Sequence, residues 1–390
     1  MGYSRRLTLT DSPRNAYSLS NKKLQISEIK VTIPRKSRQS LEIRNFILRS
    51  IPDHPVAIGA LAAEKFDISR TSANRYLKRL EGEGLIEASG QTSARTYVLK
   101  EMVDYTAVVP IAVDASEGNI WRREMETHTS GLPDNVVRIC YYGFTEMVNN
   151  VIDHSGSEAA ILQIKRNYKR VELMVADHGI GIFEKIKSDF SLDDPRTALL
   201  ELSKGKLTSD SKHHSGEGIF FTSLMFNKFS ISSGRIYYGK QKTEDWGWLF
   251  ESKETEKDTE GTAIFMSIDT DANWTTKEVF DKFQNDDMNF TKTHVPISLG
   301  KYGNEHLISR SQAKRILARF EKFEEVFLDF EGITEIGQAF ADEIFRVFAN
   351  EKPQIKIFAI NLNDDVRGMI NHAVSTDLSF SGSRPPNIFY

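Results

Sequence analysis

The stretch FTEMVNNVIDHSG, from Phe144 to Gly156, narrows the possible folds of this chain more than any other. Glu146, Asn149, Asn150, Asp153 and His154 recur at the spacing that brings all five onto one face of an α-helix. Phe144, Met147, Val148, Val151 and Ile152 make the opposite face. A solvated helix face is generally built from Lys and Glu, whereas here Asn is doubled despite its poor helix propensity and neither Lys nor Arg is present. The pattern predicts a buried apolar face against a core and a polar face turned to a ligand; a plain solvated face is the alternative.

At 390 residues the chain has room for roughly two to three domains, each with its own core. The single cysteine, Cys140, excludes an intrachain disulfide framework. With 27% charged residues, this composition leads us to expect a cytoplasmic protein. The N-terminal MGYSRRLTLT lacks a signal-peptide core and no run approaches membrane-spanning length, so no membrane association is expected. Net charge is only −3 but uneven. In the first forty residues Arg5, Arg6, Arg14, Lys22, Lys23, Lys30, Arg35, Lys36 and Arg38 face only Asp11 and Glu28, and residues 1–36 read as a basic arm, either a solvated tail or a tracker of phosphates.

Residues 37–100 read as helix, helix, basic helix and hairpin. Ser69 can cap a helix that carries Arg70, Ser72, Asn74, Arg75, Lys78 and Arg79 outward and Ala73, Leu77 and Leu80 inward. Arg95 falls on the polar tip of the following hairpin. This order resembles a winged helix-turn-helix domain, which implies double-stranded DNA in contact with those six residues and Arg95. Such domains also serve as protein-interaction modules, and Glu64, Asp67, Glu81, Glu83 and Glu87 dilute the positive charge.

Residues 101–270 combine the opening helix with strands AAILQIKRN and RVELMVADHGIGI, a polar stretch from Phe183 to Ser215, a helix begun by SGEG, and further strands through GTAIFMSID. A mostly antiparallel sheet with helices on one face is expected. Residues 271–290 read as a helical linker, residues 291–375 as alternating strands and helices, and residues 376–390 as an irregular tail. The fold class is thus multidomain α+β.

Four pieces in the second segment, EMVNN with DH, then DHGIGI, then SGEG at a helix start, then GT in a strand, resemble in their order the ATP-binding fold of the GHKL superfamily, which includes histidine kinases, gyrase B, MutL and anti-sigma-factor kinases. The resemblance spans roughly Gly131 to Ile268. It implies ATP and Mg²⁺, with Asn150 matching the metal-binding asparagine, Glu146 the catalytic acid of the hydrolytic members, and Asn149, Asp153 and His154 flanking the same surface. Asp177 matches the adenine-reading acid, Gly179, Gly181 and Ile182 the close turn beneath the base, and Thr262 the hydroxyl that completes that corner. Gly216, Gly218 and Ile219 match the helix start that receives phosphate. Phe183 to Ser215 would be the lid, with Lys204, Lys206, His213 and His214 as candidate phosphate contacts. His128 only faintly echoes a phosphoacceptor histidine, since Gly131 breaks the helix after it.

VFLDFEGITEIGQAFADEIF resembles the central strand, loop and helix of STAS-like domains. Gly337, Gln338 and Ala339 stand where anti-sigma-factor antagonists carry their phosphorylated serine, so phosphorylation of the STAS-like domain itself is not expected. The combined reading is an ATP-driven switch, regulatory or defensive, that couples nucleotide state to DNA or a protein partner and that could act as a homodimer. A serine/threonine protein kinase and a non-catalytic nucleotide-binding scaffold are the alternatives.

Overall fold

A computed structural model describes residues 35–91, 95–112, 114–207, 216–242, 248–301, 305–381 and 387–390. The basic arm up to residue 34 and the pair His213 and His214 lie outside them.

The N-terminal part consists of α1 (Arg35–Ser50), α2 (Ile58–Lys65), α3 (Arg70–Gly82) and an antiparallel pair, β1 (Ile86–Ser89) and β2 (Thr96–Leu99). The Ser69 hydroxyl accepts from the Ser72 N–H at 3.1 Å, the expected cap of α3. Ala73, Leu77 and Leu80 of α3 join Ile47, Leu48 and Ile58 in a core separate from the rest of the molecule. This part meets the remainder mainly through polar contacts: Arg49 pairs with Asp271, the Tyr168 hydroxyl donates to Asn45 at 2.6 Å, and Lys169 lies 3.4 Å from Asp53.

The middle part is a five-stranded antiparallel sheet in the order β3-β4-β5-β7-β6, with β3 (Val103–Pro110), β4 (Ala159–Arg166), β5 (Arg170–Asp177), β6 (Lys228–Lys242) and β7 (Trp248–Asp269). Edge strand β3 was not anticipated. Ala160, Leu162 and Ile164 of β4 and Val171, Leu173 and Val175 of β5 are buried on one face, while Val108 and Phe265 remain exposed on alternate positions. The helices are α4 (Glu117–Ile120), α5 (Asp134–Asn150), α6 (Ile182–Asp189), α7 (Pro195–Lys204) and α8 (Gly218–Met225). Val136, Ile139, Phe144 and Met147 of α5 are fully buried beneath the sheet.

Two expectations need correction. The polar stretch from Phe183 holds α6 and α7, whose Phe183, Ile186, Ala198, Leu199 and Leu200 are buried. Their apolar residues recur at helical spacing, and Pro195 with Asp194 as cap starts α7. The supposed linker contains α9 (Thr276–Phe283), closed by a Thr275–Glu278 capping box and docked by Phe280 and Phe283 against Phe220 and Phe221 of α8. It is part of the core.

The C-terminal part is a parallel sheet in the order β11-β10-β9-β8: β8 (Lys292–Pro296), β9 (Glu325–Asp329), β10 (Lys356–Ile360) and β11 (Ile388–Phe389). Its helices are α10 (Arg310–Leu317), α11 (Gln338–Asp342), continued by a wider turn into α12 (Ala349–Glu351), and α13 (Asp364–Ser381). Residues 376–390, read as irregular, include the end of α13 and strand β11. The middle and C-terminal parts share one core, bridged by Phe290, which touches Phe220 at 4.8 Å and Phe323 at 5.5 Å between ring centres. Among the described residues no helix is long and apolar enough to cross a membrane.

Candidate functional site

A cavity of about 290 Å³ opens where the end of α5, the end of β5 and the start of α8 meet. Its walls carry Glu146, Asn149 and Asn150 from α5, His154 just beyond it, Asp177 from β5, Gly181 and Ile182 at the start of α6, Gly216, Gly218 and Ile219 around the start of α8, and Thr262 from β7. Residues far apart in sequence, singled out by helical spacing on α5 and elsewhere by the motif resemblance, are thus brought together. Two of the expected set are not on the wall. Asp153 is exposed, because the chain leaves α-helical geometry at Val151 and runs to Ser155 as a π-type turn. Each residue then advances by a smaller angle than the helical phase assumes, and Asp153 rotates away while His154 stays. Gly179 lies behind the wall, where an added Cβ would come within 2.0 Å of the Ser155 carbonyl oxygen.

The polar groups here are held under tension with their surroundings. Burial raises the Glu146 carboxyl above its ordinary value, and the nearby Glu217 and Glu117 add to the effect. Its carboxylate lies so close to Gly218 that a Cβ there would sit 2.0 Å from Oε2. Asn150 Nδ2 is buried with no hydrogen-bond partner, which among buried amides is the exception and calls for one from the cavity. Burial also raises Asp177, against hydrogen bonds from the backbone N–H groups of Gly179, at 2.7 Å to Oδ1, and Thr262.

The glycine corner is pinned by side chains that sequence reasoning missed. The Ile182 N–H is shared between Thr262 Oγ1 at 2.9 Å and Ser233 Oγ at 3.1 Å, and Ser233 donates to the Gly261 carbonyl at 2.7 Å. Gly181 has φ +79°, and a Cβ on it would meet Ser233 Oγ at 2.8 Å, so the corner admits no side chain. Ser233 had no signal in the sequence, being one of two serines in ISSG. Lys185 and Asp189 of α6 also line the cavity, paired at 2.6 Å.

Lys204 and Lys206, expected as phosphate contacts, do not reach this space. Lys204 is fully buried, with Nζ donating to Glu201 Oε1 at 2.6 Å and to the Ala318 carbonyl at 2.9 Å; desolvation brings its pKa down to about 8, with Glu201 opposing. Lys206 donates to the Lys322 carbonyl at 2.8 Å, with the Phe323 ring 5.0 Å away. Both turn toward the C-terminal part, because a long apolar stem beside a carbonyl-rich helix end is better placed there than over a polar cavity.

That C-terminal part is where a comparison with known proteins gives an answer. Residues 312–367 match a family described as a STAS-like domain of unknown function (DUF4325). No curated protein matches the chain. The STAS-like match begins within α10 and ends early in α13, so Ala318 and its neighbours, which receive Lys204, belong to it. In the same domain Gly337 precedes α11, and a Cβ on it would stand 2.7 Å from Ile308 Cα, which accounts for a glycine at that helix start.

Of the residues assigned to a nucleic-acid face, Arg70, Asn74, Arg75, Lys78 and Arg79 are exposed on α3. Ser72 is half-buried and bonds Ser69 and Arg75. Two of the cations already have acidic partners: Arg79 Nε lies 2.9 Å from Glu83, which it shares with Arg44, and Arg95 Nη2 reaches both oxygens of Glu81 at 3.0 and 3.2 Å.

Proposed function

We propose that the protein is a Mg-ATP-binding and ATP-hydrolysing switch of GHKL type, flanked by a DNA-contacting winged helix and the STAS-like domain. The observation that carries this reading is the convergence on one cavity of Glu146, Asn150, Asp177, Gly181, Gly218 and Thr262, which come from separate elements and carry complementary chemistry. The cavity's volume stands near the lower end for small-molecule sites.

The Asp177 carboxylate accepts from the Gly179 and Thr262 N–H groups, and its remaining lone pairs can only accept, so they suit the exocyclic amine of adenine, and the oxygen that guanine offers at that place would be refused. Thr262 Oγ1 accepts from Ile182, which leaves its proton to donate to the base. The first N–H groups of α8 lack intrahelical partners and point their dipole at phosphate oxygens. Asn150 would present its amide oxygen to Mg²⁺, while its unpartnered Nδ2–H is left to donate to an acceptor in the cavity such as a phosphate oxygen; Asn149 and His154 support the same surface. The ion, when bound, would offset phosphate charge. Glu146, raised by burial and by neighbouring acids, is suited to take the proton from water as the water oxygen bonds to the γ-phosphorus and the bond to the β-phosphate oxygen breaks.

The exposed Arg70, Asn74, Arg75 and Lys78 of α3 support duplex contact, to which Arg79 and Arg95 contribute only if released from their acids. The test is incubation with Mg²⁺ and γ-labelled ATP, wild type beside Glu146→Ala. Free labelled phosphate in wild type and none in the variant is the expected result. Label retained on protein would favour a kinase, and turnover that survives in the variant would remove Glu146 from the chemistry.

A further inference from the structure

Helix α7 has one side on the cavity and the other on the STAS-like domain. Leu202 and, just past the helix, Leu207 line the cavity, and the Leu207 N–H donates to the Gly216 carbonyl at 3.2 Å beside the start of α8. On the same helix Glu201 and Lys204 turn the opposite way, and both are buried. The Lys204 ammonium bonds Ala318 O at 2.9 Å and Arg315 O at 3.4 Å, two carbonyls at the end of α10 that have no partner further along their own helix. A lysine of one part therefore caps a helix of the other.

Arg319 completes the arrangement from the STAS-like side. Its Nη1 meets Glu201 Oε2 at 2.8 Å, and its Nη2 donates to the carbonyls of Gly205 and Lys206 at 3.2 and 2.5 Å. Thr293 of β8 adds a hydrogen bond to the Lys204 carbonyl at 2.7 Å. Glu201 and Lys204 are buried and Arg319 is largely covered, so separating one of these charges from the others leaves an ion poorly compensated and the cluster resists coming apart.

We infer that Glu201, Lys204 and Arg319 are positioning residues through which occupancy of the cavity and the arrangement of the STAS-like domain control one another. The inference rests on the nucleotide reading of the cavity. A ligand that closes Leu202, Leu207 and Gly216 around itself pulls the far side of α7, and the end of α10 follows. By linkage, a partner that holds α10 changes nucleotide affinity by the same factor.

The experiment is hydrogen–deuterium exchange of the full chain with and without Mg²⁺ and a non-hydrolysable ATP analogue. In wild type the analogue is expected to slow exchange both at Gly179 to Ile182 and, across the junction, at Ala318 to Phe323. Lys204→Met leaves Glu201 paired with Arg319, and Arg319→Met leaves it paired with Lys204, so each variant retains a neutral pair. Both are expected to keep protection at Gly179 to Ile182 and lose it at Ala318 to Phe323. Thr293→Val, which removes one hydrogen bond and no charge, serves should either charge variant fail to fold and is expected to weaken only the remote protection. Remote protection equal to wild type in the variants, or absent from wild type while the cavity is protected, overturns the coupling. Absence of protection at the cavity itself overturns the nucleotide reading, and the coupling with it.

Discussion

Gly179→Ala tests whether the corner beneath Asp177 is built on backbone contact. The new methyl would lie 2.0 Å from the Ser155 carbonyl oxygen and 2.7 Å from its carbon. Carbon and oxygen approach no closer than about 3.3 Å even in favourable contacts, so roughly 1.3 Å must open between two backbone segments. The Ile180 N–H donates to that same Ser155 oxygen at 3.0 Å, and an opening of this size breaks the bond. Overpacking costs about 1–3 kcal/mol and a lost hydrogen bond about 1, a total of about 2–4 kcal/mol. For a cooperative unit of this size that lowers Tm by about 4–16 °C. Gly156→Ala is the control: its φ is +68°, nothing lies within 4 Å, and only left-handed strain of about 1–2 kcal/mol applies. Urea or thermal unfolding of the two variants should rank Gly179→Ala as the more damaging, with nucleotide binding lost in it alone. Equal destabilisation, or binding retained in Gly179→Ala, refutes the argument.

Gly218→Ala meets the end of a side chain, Glu146 Oε2, so Glu146 can swing aside; stability should change by less than about 1 kcal/mol while ATP turnover falls at least tenfold, measured by unfolding and phosphate release. Asp177 must be ionised to accept the adenine amine, and burial raises its pKa, so affinity measured by calorimetry should fall on acidification above the ordinary aspartate range; an acid limb persisting in Asp177→Asn would assign it elsewhere. That loss is not unfolding at this residue: its folded pKa lies above the unfolded one, so its own contribution to stability is present at low pH and fades as pH rises through the folded value. Arg75→Ala and Lys78→Ala should each weaken duplex binding and lower the slope of log affinity against log salt by about 1, whereas Arg95→Ala, already paired with Glu81, should change it little.

The helix face from Glu146 to Asn150 was legible because α-helical phase holds there, whereas Asp177, Gly181, Gly216 and Gly218 were picked out by motif resemblance and lie on the same cavity. Asp153 was misplaced where the turn widens, which no residue in VIDHS announces. Lys204 was misread for a different reason. Its neighbour Glu201 stands three residues away, but Arg319 and the end of α10 lie more than a hundred residues on, and a lysine beside glycine defaults to solvent until such a partner is known. Ser233 is likewise visible only once β6 lies against β7. The STAS-like alternation was readable from VFLDF and IKIFAIN, since parallel strands show continuous apolar runs, while the two residues of β11 are too few to carry a pattern.

The two cores set different rules for how this chain can be rearranged. The N-terminal part closes its own interior and touches the rest mainly through a few polar pairs and the Tyr168 ring, so a different module can replace it by rebuilding only those contacts. A crossover near Phe290 would part Phe220 from Phe323 and leave two half-interiors, each exposing aromatic rings. The middle and STAS-like parts are therefore a single unit of inheritance, and a family built from this chain should vary in its N-terminal module while the other two travel together.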